Sequence, residues 1–156
     1  MAIARPAAKG TLDAERLNRP DLRALLAVLS AASRTSSHGD ADLRRVQSPL
    51  RISEFDMLVA IGIYGPLRPS EISRRASLAP TPTTVSTILA RLEKRGLITR
   101  APHPTVGGGV MVTATPEGLE MLEQLFPEVE RKVISWFGAH FSEDELTILA
   151  ELLERI

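Results

Sequence analysis

The chain has no cysteine, few aromatic residues (4%) and no net charge. The absence of cysteine excludes disulfides, thiolate metal sites and thiol-based redox sensing. No apolar stretch approaches the roughly 20 residues of a membrane-spanning helix, and the first twenty residues lack the apolar core of a secretory signal. We therefore expect a cytoplasmic protein. A length of 156 residues suits a single folded domain, which we expect over 20–156, after a flexible tail over 1–19.

The charges that sum to zero are unevenly distributed along the chain. Residues 66–115 hold seven basic and two acidic residues, whereas residues 116–156 hold three basic and ten acidic residues. A basic segment within a neutral chain is typical of a surface that meets nucleic-acid phosphates. Chance segregation of charges on solvated helix faces is the alternative explanation.

The segment Thr81–Arg100 has the pattern of a short helix, a glycine stop and a strand. Its apolar residues recur at helical spacing and must form one buried face: Val85, Ile88, Leu89 and Leu92. The opposite face carries the small hydroxyl side chains of Thr83 and Thr87. Thr81 is placed to cap this helix, and Pro82 suits its first position. Such a helix can lie close to a partner, and the major groove of DNA admits one helix.

These residues resemble the winged helix-turn-helix of the multiple antibiotic resistance regulator (MarR) family. The family signature is matched by Thr84-Val85-Ser86, Arg91-Leu92-Glu93 and Gly96-Leu97-Ile98. Upstream, Pro69–Ile72 resembles the start of the positioning helix, and downstream Ala114–Gly118 resembles the entry into the first dimerisation helix.

The resemblance implies a mainly α fold with a small β-hairpin wing, of the α+β class. Residues 50–115 would form the winged helix-turn-helix lobe, and residues 20–35 and 116–156 would form N- and C-terminal dimerisation helices. The apolar stripes of these helices cannot all be covered within one chain, which also favours a homodimer. An additional intramolecular contact is the alternative.

Residue patterns predict the boundaries of the flanking elements. A helix beginning at Pro20 is expected to fade by Ser33–Gly39, and residues 40–49 could form a short turn or a linker. Ser53, with Asp56, is expected to cap the next helix, and Gly65 to follow its end.

The C-terminal half is predicted in the same way. Leu97–Arg100 and Val110–Thr115 are expected to pair around a wing tip, before a long helix that Pro127 should kink. Ser142 and Glu145 form a capping box for the last helix.

The wing departs from the family pattern at its tip. Val106 stands where relatives have an aspartate, and Gly107 and Gly108 take the basic positions, including that of the arginine that enters the minor groove. The loss of this cation would weaken recognition of narrow, AT-rich grooves. Either DNA binding persists through the recognition helix, or tight binding has been lost.

The sequence and the resemblance predict a transcriptional regulator that binds double-stranded DNA as a homodimer on a near-palindromic site, as a ligand-responsive repressor. The side chains expected to face base edges are Thr81, Thr83, Thr84, Ser86 and Thr87. Those expected to meet phosphates or flank the groove are Arg74, Arg75, Arg91 and Lys94, with His103 and Thr105 as minor wing contacts. The alternative is a winged-helix dimerisation or protein-interaction module with weak or lost DNA binding.

The resemblance also implies a small aromatic or anionic effector between the DNA-binding lobe and the dimerisation helices. Its binding residues are unknown: Trp136, Tyr64 and Phe55 could form a wall, although core packing is the alternative use of each. The three histidines have no ligands at metal-binding spacing, so we expect no metal and no cofactor. No nucleophile–base arrangement is present in the sequence pattern, so we expect no enzymatic activity.

Overall fold

The structure, a computed structural model, describes residues 19–78, 81–103 and 109–156. The elements follow in the order α1 (Pro20–Arg45), α2 (Ile52–Tyr64), α3 (Pro69–Arg75), α4 (Pro82–Lys94), β1 (Ile98–Pro102), β2 (Val110–Ala114), α5 (Pro116–Trp136) and α6 (Glu143–Leu153). A 3₁₀ turn over Gly138–His140 lies between the last two helices. This mainly helical fold with one antiparallel hairpin confirms the predicted fold class.

The described part of the chain divides into two compact units, one that ends at Thr35 and one that begins at Ser36. The described part of the first unit is the N-terminal portion of α1, which exposes the apolar side chains of Leu25, Leu26, Val28 and Leu29. The second unit contains the rest of α1 and every later element. Within the described ranges, no helix combines the length and apolarity needed to cross a membrane.

The first helix does not fade at Ser33–Gly39, and that prediction is wrong. Gly39 lies against α2, because a Cβ added there would be 2.6 Å from Cγ1 of Ile52. Oδ1 of Asp40 accepts a hydrogen bond from the Ile52 amide at 2.8 Å, and Leu43 is buried. The composition of this segment favours a loop, but packing against α2 keeps the segment helical.

The start of α2 also differs from the prediction. The helix begins at Ile52 with Arg51 as its N-cap, so Ser53 is not the cap. Oε2 of Glu54 accepts a hydrogen bond from the Arg51 amide at 3.0 Å, while Asp40 accepts from the Ile52 amide. These two carboxylates satisfy donors that would otherwise be unpaired at the helix start. At the other end, Gly65 follows the helix with φ of 74°, as predicted.

The core of the second unit is formed by the apolar faces of α2, α3 and α4 together with the hairpin. The most completely buried apolar side chains are Leu43, Met57, Leu58, Ile61, Ile72, Leu89, Leu92, Ile98 and Val112. The predicted apolar face of α4 is confirmed, because Val85, Ile88, Leu89 and Leu92 are all buried. Leu67 adds an isolated bridge to Val112, which ties the segment before α3 to the hairpin.

The hairpin pairs β1 with β2 in antiparallel register, from Ile98 opposite Ala114 to Pro102 opposite Val110. The amide of His103 donates to the Gly109 carbonyl at 2.8 Å at the outer end of the pair. The predicted features of the tip, Thr105 to Gly108, lie outside the described residues.

The junction between the hairpin and α5 is tightly packed. The hydroxyl of Thr115 accepts from the Gly118 amide at 3.0 Å and donates to the Gly96 carbonyl at 2.6 Å. A Cβ added to Gly118 would lie 2.1 Å from the Leu97 carbonyl oxygen. Only glycine therefore fits at this point in the first turn of α5.

The long helix α5 and the capping box of α6 are present as predicted. Helix α5 runs through Pro127, and Ser142 with Glu145 forms the capping box of α6. Much of the apolar side-chain surface on these two helices is exposed in the single chain, as for Phe126, Ile134, Ile148 and Leu152. Such exposure is unusual for a monomer and is typical of an interface.

Candidate nucleic-acid interface

Helix α4 has one buried apolar face and one exposed polar face. Oγ1 of Thr81 accepts a hydrogen bond from the Thr84 amide at 3.1 Å, which confirms the predicted cap. The exposed side chains of the helix include Thr83, Ser86 and Thr87. Because these side chains are short, the backbone of α4 can lie close to a partner, such as the base edges in the major groove of DNA.

The hydroxyls on the exposed face differ in how far they are already bonded. The Thr81 and Thr84 hydroxyls bond each other at 2.8 Å, and the Thr87 hydroxyl donates to the Thr83 carbonyl at 3.0 Å. Within the described part of the chain, the hydroxyls of Thr83 and Ser86 have no hydrogen-bond partner. These two groups can bond a base edge without breaking an internal bond.

The basic side chains that were predicted to meet phosphates differ in whether they contact another side chain. Arg74 and Lys94 are exposed and have no ion pair within the residues that the structure describes. The guanidinium of Arg75 lies over the ring of Tyr64, 4.2 Å from its centroid. Arg91 points towards α2, where its Nη1 lies 3.8 Å from Oε1 of Glu54. His103 is half-buried at the base of the wing, and Thr105 is outside the described residues.

Glu54 is a residue of this site that the sequence reasoning missed. Its side chain is 2% exposed, and Oε2 lies 3.3 Å from Nη1 of Arg95 in addition to accepting from the Arg51 amide. The carboxylate therefore fixes the C-terminal end of α4 to the N-terminus of α2. The only sequence signal is the pair Arg91 and Arg95, four residues apart at the end of α4. Glu93 is the one acidic residue of that helix, and it cannot pair with both arginines.

Asp56 is a second carboxylate of α2 that bonds another segment of the chain. Its Oδ2 accepts a hydrogen bond from the Leu78 amide at 2.8 Å, just before the segment that leads into α4. Burial raises the pKa of the Asp56 carboxyl above its usual value, and the hydrogen bonds from the Leu78 and Ser77 amides oppose this shift. Helix α2 thus contacts the C-terminal end of α4 through Glu54 and the segment that follows α3 through Asp56.

Replacing Asp56 with asparagine tests the balance of these effects. The amide oxygen can still accept from Leu78, but no charge is buried. Since the folded-state pKa is raised, the wild type loses stability as pH rises from about 4 through that pKa, whereas the variant does not. Asp56→Asn should therefore gain stability over the wild type between pH 4 and pH 7 in urea unfolding.

Asp56→Ala is the matched control, because it also removes the acceptor. It should be about 1 kcal/mol less stable than Asp56→Asn at both pH values, since the Leu78 amide is left unbonded. Equal destabilisation by Asn and Ala at pH 7 would contradict the assigned role of the charge.

Comparison with known proteins identifies the family. A family model of the MarR family matches residues 48–107. An uncharacterised HTH-type transcriptional regulator of Bacillus cereus is 31% identical over 107 residues, which cover 69% of this chain and 69% of the relative. The chain belongs to the MarR family. This membership confirms the predicted family. It also confirms the prediction that the chain is a DNA-binding transcription regulator rather than an enzyme.

Solved MarR family structures share the fold. A MarR family transcriptional regulator from Streptomyces coelicolor, solved in complex with DNA, superposes with a TM-score of 0.76 at 24% identity and covers 92% of this chain and 89% of its own. BpsR of Bordetella bronchiseptica, whose DNA binding is regulated by 6-hydroxynicotinic acid, gives a TM-score of 0.71 at 21% identity, with 96% of each chain covered.

This MarR family protein has an apolar cleft between α2 and α5, with a volume of about 500 Å³. Its lining includes Val59, Gly62, Ile63, Leu119, Leu122 and Phe126. Glu123 is the charged residue among the described residues that line it. The volume lies within the range of small-molecule sites.

The three aromatic residues considered for an effector site have other neighbours. Phe55 is buried and lies 6.3 Å from the ring of Phe126, and Trp136 stacks on His38 at 5.1 Å. Tyr64 lies under Arg75 and does not line the cleft. Among the residues that the structure describes, no group of histidine and acidic side chains could hold a metal ion.

Proposed function

We propose that this MarR family protein is a repressor that binds a near-palindromic duplex site as a homodimer, with the N-terminal turns of α4 in the major groove. The observation that supports this most directly is the exposed face of α4, where Thr83 and Ser86 carry unbonded hydroxyls above a fully buried apolar stripe. Arg74 and Lys94 are exposed cations beside this helix and would meet phosphates.

A charge placed on this face should abolish specific binding. Thr87→Glu brings an anion to the groove, so its affinity should fall at least about 100-fold for duplexes that the wild type selects from a random library, measured by fluorescence anisotropy at fixed salt. Thr147→Glu is the control, because Thr147 is also an exposed helical threonine whose hydroxyl donates to a carbonyl four residues earlier.

The control variant should bind as the wild type does. If Thr87→Glu also bound unchanged, α4 would not be the recognition helix. If the wild type selected no duplex at all, the protein-interaction module would replace this proposal.

The homodimer is supported by the exposed apolar side chains of α1, α5 and α6. Sedimentation at micromolar concentration should show twice the 17.0 kDa of one chain. Leu152→Glu should shift the protein to monomers or aggregates, because a buried unpaired charge costs several kcal/mol. Thr147→Glu, on the same helix, should remain dimeric. A wild type that sediments only at 17.0 kDa would contradict the proposal.

The ligand response is supported by the apolar cleft. Its apolar walls and its one described charged lining residue, the acidic Glu123, favour an uncharged aromatic compound over an anion. The DNA binding of BpsR is regulated by 6-hydroxynicotinic acid, which is an aromatic carboxylic acid, so BpsR supports the aromatic ring of the effector and not the absence of charge. We assign an aromatic effector to this cleft, and its binding would alter the affinity for DNA.

A further inference from the structure

A second cleft, rich in arginine, lies at the opposite end of α2 from the apolar cleft. We call it the arginine cleft, and its charged lining consists of Asp40, Arg44, Arg51, Glu54, Arg91 and Arg95. Its volume is about 460 Å³. Glu54 and Gly62 are eight residues apart on α2, so the two clefts are separated by about 12 Å along the helix axis.

Both carboxylates of the arginine cleft already accept hydrogen bonds from backbone amides. Asp40 accepts from the Ile52 amide at 2.8 Å, and Glu54 accepts from the Arg51 amide at 3.0 Å while lying 3.3 Å from Arg95. In the described residues, Arg44 and the guanidinium of Arg51 have no acidic partner. The cleft therefore carries four guanidinium groups against two acids, and two of the four are unpaired.

A guanidinium group offers a planar fork of donors that matches the oxygens of a carboxylate or phosphate. Like charges that line one concave cleft repel each other, and an oxyanion between them relieves this repulsion. The volume exceeds that of a single inorganic ion and falls within the range of small-molecule sites. The chemistry and the size together favour an organic acid or a phosphate ester.

We propose that the arginine cleft binds a small oxyanion through Arg44 and Arg51, with Arg91 and Arg95 completing the site. A DNA phosphate would offer the same oxygens. The bases are expected to meet the N-terminal turns of α4, whereas this cleft includes the C-terminal end, which favours the small molecule. This proposal holds whether or not the protein binds DNA.

Citrate and inorganic phosphate serve as the probes, titrated into the full-length protein by calorimetry at an ionic strength held constant with chloride. The wild type should bind at least one of them. Arg44→Gln together with Arg51→Gln should weaken binding about 100-fold, because each charge-assisted hydrogen bond contributes about tenfold to the affinity. Arg74→Gln together with Lys94→Gln removes the same charge elsewhere and should bind the probes as the wild type does.

The salt dependence of duplex binding separates the two sources of oxyanion. The Arg74/Lys94 double variant should lower the slope of log affinity against log salt by about 2, whereas the Arg44/Arg51 double variant should leave it unchanged. If the Arg44/Arg51 variant instead lowered the slope and kept the probe affinity, the cleft would be a DNA contact and the proposal would be overturned.

Two further results would overturn the proposal: no binding of either probe by the wild type up to about 10 mM, or equal weakening in both double variants. If the Arg44/Arg51 variant fails to give the circular dichroism of the wild type, Arg44→Lys replaces it. This variant keeps the charge but loses the planar fork, and should weaken probe binding about tenfold. Unchanged binding by Arg44→Lys would count against the site.

Discussion

Replacing Gly118 with alanine should lower the free energy of unfolding by about 3 kcal/mol, at the upper end of the usual cost of overpacking. The added Cβ would lie 2.1 Å from the Leu97 carbonyl oxygen, a distance that requires the backbone to move. The movement would also disturb the Thr115 hydroxyl, which bonds both the Gly118 amide and the Gly96 carbonyl. Urea unfolding followed by circular dichroism measures the loss.

Gly138→Ala is the control for this prediction. The nearest heavy atom to a Cβ at Gly138 is the Val133 carbonyl oxygen at 4.0 Å, an ordinary contact. This variant should change stability by less than about 0.5 kcal/mol, as most unstrained surface changes do. Equal losses from both substitutions would show that the close approach to Leu97 carries no special cost.

Removing the Glu54 carboxylate should cost about 2 kcal/mol. Glu54→Ala leaves the Arg51 amide without its cap and leaves Arg95 and Arg91 without their acid. The full cost of breaking a buried ion pair does not apply, because the Arg91 and Arg95 side chains are 52% and 39% exposed and can turn to water.

Glu71 provides a matched comparison on the next helix. Its Oε2 accepts from the Arg68 amide at 2.8 Å, in the same capping position, but it forms no ion pair within the described residues. Glu71→Ala should therefore lose only about 0.5–1 kcal/mol, the value of the cap alone. The difference between the two variants measures the ion pairs and the burial. If the two losses were equal, the ion pairs of Glu54 with Arg91 and Arg95 would contribute nothing to the free energy of unfolding.

Local signals predicted most of the helix-turn-helix, because its elements obey short-range rules. The apolar spacing of α4, the Thr81 cap and the glycine after the helix depend on residues within a few positions of one another. The same rules identified the hairpin and the Ser142–Glu145 box. Each of these features is determined by neighbours in sequence, so one sequence was enough.

The errors arose where distant residues decide the structure. Ser33–Gly39 stays helical because Gly39 packs on Ile52, thirteen positions later, and Asp40 rather than Ser53 helps to cap α2. Glu54 meets Arg95 across 41 positions, a pairing that no local pattern contains. The arginine cleft could not be predicted for the same reason, since three separate helices and a connecting segment supply its walls.

The exposed apolar side chains of α5 and α6 link the thermal stability of this protein to its concentration. If a second copy covers Ile134, Ile148 and Leu152, only the folded chain binds that copy, and mass action then favours folding as the protein is concentrated. The melting temperature of the wild type should therefore rise with protein concentration, while that of Leu152→Glu should stay constant. Free energies for the Gly118 and Glu54 variants are accordingly comparable only at one shared protein concentration.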